Sequence, residues 1–407
     1  MLELVPHDLD RRVLVFSLAS MVIMLGAGII SPVLPLYATE FGASFTGAGA
    51  LVSAFALGRF LFDYIGGALA DRVPARWLAG GGAGLTALAS LLCGLAQSFP
   101  MLILYRGLEG IGSAFYVTTA MAFITRTVTA ERMGRVMGFY QGMILLGISF
   151  GPAVGGYIAH VAGLRAPFFA YALLSALVAV TASRLVGDMP PPPSRKEVGE
   201  HSRALWHLLG DRAFVFAVLL TMLIFGTRAG LRLNLIPLFA DATLGLNEFW
   251  IGVLLTAAAF VNFLVLWHAG AMIDRHGRRR VVLPVLVATI AVVACFPWAR
   301  SFWLLLLDTS LLGAVLGYLA PAPAAIIVDI TPSAASGQAM GLYRMAADLG
   351  LLIGPVAFGY VASGFGFTVG FEFSAALVAA VWLLGTRTRE TLRSASVSVT
   401  ASGVVVS

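Results

Sequence analysis

Nine charged residues lie inside apolar stretches of this 407-residue chain, and they are of the types that can bind anions or transfer protons. They are Arg59, Asp63, Arg106, Glu109, Arg228, Arg232, Asp308, Arg344 and Asp348. In hydrocarbon, each unpaired charge would cost about 3 kcal/mol, and the nine together would cost roughly 25 kcal/mol. That sum exceeds the net stability of most proteins. These side chains must therefore pair with one another or line water, where carboxylates can exchange protons and guanidiniums can bind anions.

Two of the charge combinations are opposite charges four residues apart. Asp63 follows Arg59 at this spacing, and Asp348 follows Arg344. On a helix, residues four apart are neighbours on one face, so each combination can form a structural salt bridge. Asp63 and Asp348 are also candidates for proton coupling, and the sequence leaves both roles open.

Arg106, Glu109 and Ser113 share one helical face, at spacings of three and four residues. Because an arginine facing lipid at that depth is costly, we expect this face to line a central cavity. Glu109 is then a candidate proton carrier beside Arg106, and the alternative is a static buried ion pair. Asp308 has no partner within one turn and is a second candidate carrier.

Arg228 and Arg232 share a face of one apolar stretch, with Asn234 nearby. They can receive an anionic or zwitterionic solute, or pair with Asp308 across a cavity. Tyr116 and Asn262 are further candidates for contact with a solute, although packing is the favoured role for both.

The composition of the whole chain requires a membrane protein. Hydrophobic residues make up 59% of the chain. Charged residues make up only 11%, whereas about a quarter of the residues in soluble domains are charged. Apolar runs of about 20 residues are long enough to cross a bilayer. We predict twelve helical spans in an all-α membrane fold, at 13–37, 45–70, 77–97, 101–124, 134–160, 165–186, 212–239, 249–272, 280–298, 301–327, 337–361 and 366–386.

The distribution of basic residues predicts the orientation of these spans. Of the 26 lysines and arginines, 19 lie at the N-terminus, in the even-numbered connections or at the C-terminus. The positive-inside rule then predicts that both termini lie in the cytoplasm. We expect the protein to reside in the inner membrane of the cell. We divide the chain into a bundle at 1–186, a Pro-rich cytoplasmic linker at 187–210, a second bundle at 211–390 and a disordered tail at 391–407.

A shift of 203 positions superposes the first half of the sequence on the second. Gly67-x-x-x-Asp71-Arg72 falls on Gly270-x-x-x-Asp274-Arg275. The same shift aligns three residues of span 5 with three of span 11, namely Gly147, Gly151 and Pro152 with Gly350, Gly354 and Pro355. Such a repeat predicts two homologous six-helix bundles, an arrangement that secondary transporters use to build a site between rocking halves.

The repeated loop resembles a signature of the major facilitator superfamily. This resemblance implies that Asp71 and Asp274, with Gly67, Arg72, Gly270 and Arg275, help to hold the cytoplasmic side closed. In that family the first aspartate contacts span 11, which implies that Asp71 lies near Arg344. The first copy departs from the family pattern, because Pro74 and Ala75 stand where glycine and arginine are usual.

Span 5 resembles the glycine motif of the twelve-helix drug/proton antiporter branch of this family. Its small residues at Gly147, Gly151 and Gly155 permit close helix approach. Gly156 continues the pattern, and Pro152 weakens the local hydrogen bonds so that the span can bend. The resemblance implies a conformational role for these five residues and assignment to the exporter class.

We therefore predict a proton-coupled exporter of an amphipathic organic solute, acting as a monomer in the lipid bilayer. A proton-coupled importer or a uniporter of a small metabolite remains the alternative, and a sensor or scaffold that transports nothing is a third. We expect no cofactor. We also expect no ATP drive supplied by this chain, because it has no phosphate-binding loop and its single lysine, Lys196, lies in the linker. We also expect no nucleic-acid partner and no enzymatic activity.

Overall fold

The computed structural model describes residues 11–70, 72–185, 210–331 and 336–391, which are almost entirely helical. In these ranges eleven helices are long and apolar enough to cross a membrane. The first ten are α1 (Arg11–Ile30), α2 (Phe45–Ala70), α3 (Ala75–Gly94), α4 (Phe99–Thr127), α5 (Ala130–Ala162), α6 (Ala166–Leu185), α7 (Arg212–Leu244), α8 (Glu248–His276), α9 (Arg278–Cys295) and α10 (Phe302–Ile330).

The eleventh helix contains two membrane spans. Ser336–Thr386 has 51 residues, which would extend about 77 Å as one α-helix, against a hydrocarbon core of about 30 Å. Gly366 interrupts it with φ 85° and ψ 169°, a left-handed backbone that glycine adopts without a Cβ clash. The two parts are α11 (336–365) and α12 (367–386), so the prediction of twelve spans is confirmed.

Three spans are less regular than the sequence predicted. The first span bends after Ile30, where the hydroxyl of Ser31 donates to the carbonyl of Gly28 at 2.7 Å, and resumes as the short helix Leu34–Glu40. A similar turn divides α10 at Pro321, since proline cannot donate the backbone hydrogen bond of a helix. The middle of α7, Arg228–Leu235, is a π-helix.

The helices form two bundles of six, α1–α6 and α7–α12. In the first bundle α1 packs on α5 and α6, while α2 and α3 both pack on α4. In the second, α7 packs on the segment that contains α11 and α12, and α8 packs on α10. Each bundle has its own apolar core, centred on residues such as Phe16 and Phe123 in the first and Phe214 and Phe216 in the second.

Contacts between the bundles obey the twofold repeat that the sequence predicted. A Cβ added to Gly49 would meet the carbonyl oxygen of Pro355, and one added to Gly252 would meet that of Pro152. Both residues of one contact are shifted by 203 positions from those of the other. The same shift relates the contact of Gly156 with Glu248 to the contact of Gly359 with Phe45. The two bundles are therefore pseudo-symmetric.

Some predicted segments lie outside the described residues. These are the linker at 187–210 apart from Gly210, the tail at 391–407 apart from Thr391, and the loop residue Asp71.

Candidate transport site

The bundles touch on the side of the membrane opposite the start of α1, which we call the far side. At the start of α2, the backbone amide and hydroxyl of Thr46 each lie 3.1 Å from the hydroxyl oxygen of Ser363 near the end of α11. At the other symmetric contact, the amide of Ala153 in α5 donates to the hydroxyl of Thr256 in α8 at 2.8 Å. Hydrogen bonds thus join the bundles on the far side at both pairs of helices.

On the side where α1 begins, which we call the terminal side, the same helices separate. Gly67 near the end of α2 and Gly341 near the start of α11 have no heavy atom within 4 Å of the place a Cβ would occupy. The same holds for Gly138 in α5 and Gly270 in α8. Tyr64 in the last turns of α2 is 84% exposed. The space between the bundles therefore opens on the terminal side and is closed on the far side.

Below the closed contacts lies a cavity of about 160 Å³ between the bundles. Ile30 of α1, Phe55 of α2 and Tyr171 of α6 line it from the first bundle, and Ala229 and Leu233 of α7 line it from the second. Its lining is mainly apolar, which suits the apolar part of an organic solute.

Arg106 is the charged residue in the lining of this cavity. Its guanidinium lies 4.9 Å from the ring centroid of Phe55 and forms an ion pair with Glu109. Glu109 is fully buried behind it, inside the first bundle. Sequence reasoning placed both residues on the cavity, and only Arg106 lines it. The other oxygen of Glu109, Oε1, has no hydrogen-bond partner among the described residues.

A second group of charges spans the boundary between the bundles, and we call it the boundary cluster. It contains Arg59 and Asp63 of α2 with Arg344 and Asp348 of α11. Asp348 lies within electrostatic range of the other three. A weak ion pair of 3.7 Å joins Arg59 to Asp63, but no ion pair joins Arg344 to Asp348 in the described part of the chain, so only the first of the two possible salt bridges forms.

The carboxylates of the boundary cluster have unused hydrogen-bonding capacity. Both oxygens of Asp63 are buried and accept no hydrogen bond from the described residues, and Asp348 is only 8% exposed. Burying a carboxylate without hydrogen-bond partners is costly, so such groups are retained where they have a task. The structure thus brings together two of the proton-coupling candidates, one from each bundle.

Arg228 and Arg232 lie in the π-helical segment of α7, next to the cavity-lining Ala229 and Leu233. Arg232 is 3% exposed, and its Nη2 donates to the backbone carbonyl of Leu255 at 3.1 Å. Pairing with Asp308, one of the two roles that the sequence left open for these arginines, does not occur among the described residues.

Three candidates for contact with a solute belong to helix packing, the role that the sequence favoured for Tyr116 and Asn262. Tyr116 is fully buried and its hydroxyl donates to the carbonyl of Phe16 at 3.3 Å, inside the first bundle. The side-chain amides of Asn234 and Asn262 each donate at 3.1 Å to a backbone carbonyl of a neighbouring helix. The polar groups of these residues hold helices together, and none of the three lines the described cavity.

Asp308 lies apart from the other charged residues. It is in the outer part of α10, and its neighbours Leu304, Leu307 and Leu311 are 49%, 54% and 42% exposed. No hydrogen bond or ion pair to it occurs among the described residues. Its position at the edge of an exposed apolar face differs from the cavity position that the sequence predicted.

The first signature loop lies on the open side. Its Gly67 and Arg72 are exposed, and Arg344 of α11 is exposed across the opening. Asp71 lies outside the described residues, so its predicted contact with α11 stays a prediction. An open terminal side is the state in which such a contact is not required.

The second signature loop is held inside its own bundle. Arg278 donates to Asp274 at 2.6 Å and to Asp329 at 3.0 Å. The carboxylate of Glu390 accepts the backbone amide of Arg278 at 2.8 Å, at the start of α9, where the helix dipole favours a negative group. Arg275 of the same loop is exposed. Sequence reasoning did not identify Arg278, Asp329 or Glu390 as one cluster.

The glycines of α5 make close contacts in two directions. Gly147, Gly151 and Gly155 face α1, and a Cβ at each would meet α1 backbone atoms. Pro152 and Gly156 face α8 of the other bundle. The close approach that the sequence predicted is therefore present, and α5 links the first bundle to the second.

A family model described as Major Facilitator Superfamily matches residues 16–268 and again residues 217–404, which together cover almost the whole chain. The chain belongs to this superfamily. It is consequently a multi-span membrane transporter of small molecules, not an enzyme. The two overlapping matches begin about one repeat apart, as expected for a fold made of two similar halves.

Similar members of the superfamily have names that refer to drug resistance. Multidrug resistance protein 1 of Bacillus subtilis (strain 168) is 25% identical over 82% of this chain and 85% of its own. Multidrug resistance protein MdtG of Proteus mirabilis (strain HI4320) is 27% identical over 87% and 89%. A bacterial homolog of the human lysosomal transporter Spinster, solved in an inward-facing and unoccupied conformation, has a TM-score of 0.78, with 16% identity over 92% of this chain and 96% of its own.

Proposed function

We propose that this transporter exports an amphipathic organic solute from the cytoplasm in exchange for protons, by alternating access. The observation that carries the proposal is the boundary cluster, in which carboxylates from both bundles meet where the bundles pass from contact to separation. The charge of this cluster can influence how closely α2 and α11 approach. Proton binding and bundle movement are therefore linked in one place.

The orientation follows from the distribution of arginine. With both termini in the cytoplasm of the inner membrane, the terminal side is the cytoplasmic side. The present state is then inward-facing, and the cavity receives solute from the cytoplasm or the inner leaflet. Movement of the two pseudo-symmetric bundles would close this side and open the far side, and a single chain contains all the parts required.

Protons would act by neutralising carboxylates. In the inward-facing state, Asp63 and Asp348 can release protons to the cytoplasm through the open side, and solute can enter. After the bundles move, the same groups can take up protons from outside while the solute leaves. Glu109, buried behind the cavity-lining Arg106, is a further proton site, and its proton occupancy would change the field at that guanidinium.

The exporter assignment is supported by sequence relationships. The glycine motif of α5 resembles that of drug/proton antiporters, and the similar proteins named above are called multidrug resistance proteins. The mainly apolar cavity agrees with a solute that is partly hydrophobic.

Proteoliposomes with an imposed pH gradient test the proposal. We expect accumulation of amphipathic dyes driven by a proton gradient, with a trapped pH indicator reporting protons moving in the opposite direction to the dye. The panel should contain cationic, neutral and anionic dyes, and protein-free liposomes are the control. Proton movement in the same direction as the solute would identify an importer and refute the export proposal.

A further inference from the structure

The membrane-embedded charges compensate one another, except for the lone Asp308 at the edge of α10 and the two arginines of α7. Arg106 and Glu109 form a neutral pair, and the two arginines and two aspartates of the boundary cluster sum to zero when ionised. Arg228 and Arg232 have no such compensation. Among the described residues, Arg228 interacts electrostatically with the hydroxyl of Tyr343, and Arg232 interacts electrostatically with Arg228. Two like charges are thus left side by side in the bilayer region.

The capacity of these guanidiniums to donate hydrogen bonds is largely unused. Only 3% of Arg232 is exposed, and this residue makes one hydrogen bond, to the carbonyl of Leu255. Its Nε is buried without a partner among the described residues. Arg228 donates no hydrogen bond to any described residue. A guanidinium has five N–H donors, so an anion could be held by several of them.

The backbone around these arginines is adapted to a site rather than to simple packing. They lie in the π-helix Arg228–Leu235, a rare arrangement that often occurs at functional positions. Ala229 and Leu233, which directly follow Arg228 and Arg232 in the sequence, line the cavity between the bundles, and the two arginines lie just behind this lining. The arginines therefore stand beside an apolar space that can hold the rest of a solute.

We infer that the solute of this transporter is an amphipathic anion whose carboxylate, sulfonate or phosphate binds Arg228 and Arg232. The inference rests on the proposed transport function and specifies its substrate class. The apolar part of the solute lies against Ile30, Val52 and Leu351, which line the cavity. An anion at this place supplies the negative charge that no described carboxylate provides beside these two arginines, which explains why they are tolerated there.

Binding to purified protein in nanodiscs of zwitterionic lipid tests the substrate class without any pH gradient. The probes are 1-anilinonaphthalene-8-sulfonate and N-phenyl-1-naphthylamine, which share their aromatic rings and differ in the sulfonate. We expect R228Q/R232Q to bind the sulfonate probe at least about tenfold more weakly than the wild-type protein, because charge-assisted hydrogen bonds are lost. Binding of the neutral probe should change less than twofold.

Two matched variants separate charge from structure. R228K/R232K keeps both charges and should retain sulfonate binding within about threefold. R300Q removes one arginine from an exposed connection and should bind both probes like the wild-type protein. If R228Q/R232Q fails to fold, R228Q alone is measured, since Arg228 makes no hydrogen bond in the described structure. Unchanged sulfonate affinity in the glutamine variant would overturn the inference.

A second arm distinguishes a soluble anion from a lipid headgroup. Adding anionic phospholipid to the nanodiscs should leave the arginine-dependent affinity unchanged, because the cavity opens to water on the terminal side. Loss of this binding would make a lipid the occupant and overturn the assignment to a soluble solute. Arginine-dependent binding without proton-driven flux in proteoliposomes would refute the proposed function alone. Proton-driven export of cations only, with no arginine-dependent binding, would refute this inference alone.

Discussion

Replacing Asp348 with asparagine is expected to abolish proton-driven transport and to leave solute exchange intact. An amide cannot take up or release a proton, so the boundary cluster would lose a titrating group that faces the other bundle. Asparagine has nearly the same volume as aspartate, so the packing of α11 should persist. We expect the gradient-driven rate in proteoliposomes to fall by about a hundredfold, the lower range for removal of a proton-transfer group.

The chain contains a matched control for this variant. D308N removes a membrane carboxylate that lies at an exposed edge of α10, away from the boundary cluster. We expect it to keep at least half of the wild-type gradient-driven rate. Counterflow of labelled solute at equal pH should be similar in D348N, D308N and the wild-type protein. Full gradient-driven transport by D348N, or its loss in D308N, would contradict the assignment of coupling to the boundary cluster.

Replacing Gly156 with leucine is expected to open the far side and to slow transport. A Cβ at this position would meet backbone atoms of Glu248 and Phe249. Backbone atoms of a helix cannot relieve such a clash by changing rotamer, as a side chain could. Overpacking costs about 1–3 kcal/mol. Because the contact exists only while the far side is closed, this energy shifts the conformational equilibrium away from that state by about five- to 150-fold.

The change in equilibrium can be measured by the labelling of a cysteine at Ser363 with a membrane-impermeant reagent. The background should carry C295S, since Cys295 is exposed. We expect faster labelling and slower transport in G156L. G359L, its counterpart in the second bundle, should behave alike. G142L is the control in the same helix, because Gly142 has no heavy atom within 4 Å of its Cβ position. Equal labelling of G156L and G142L would show that the glycine contact does not hold the far side closed.

The sequence was sufficient for the architecture because two independent signals agreed. Hydropathy located the twelve spans, and the shift of 203 positions predicted pseudo-symmetric halves whose contacts are now seen at Gly49 and Gly252. Glycine also marked close approach correctly, since a helix backbone can only be reached where a side chain is missing. These features depend on local composition, which a sequence records directly.

The neighbours of individual side chains were harder to predict. Helical periodicity shows which residues share a face, but lipid and protein interior are both apolar, so it does not show what that face contacts. For this reason the sequence predicts a cavity position for Asp308 that the structure does not show, and it leaves a solute contact open for Tyr116 although packing is the favoured role. The π-helix of α7 also depends on tertiary contacts that periodicity does not contain.

The cluster around Arg278 did leave a signal in the sequence. Shifting by 203 positions places Ala75 opposite Arg278 and Arg126 opposite Asp329. The two halves thus differ at both positions of an ion pair, which is what a contact present in one half only would produce. Comparing the repeats position by position would have predicted this pair.

A reversible cross-link across the far side tests alternating access itself. The hydroxyl oxygens of Thr46 and Ser363 are 3.1 Å apart in different bundles, so T46C/S363C should form a disulfide on oxidation. We predict that the oxidised protein transports no solute, that reduction restores transport, and that neither single variant responds to oxidant. The contradicting result is a fully cross-linked protein that transports solute as fast as the same protein after reduction of the disulfide. The bundles would then not need to separate there, and alternating access by their movement would be wrong.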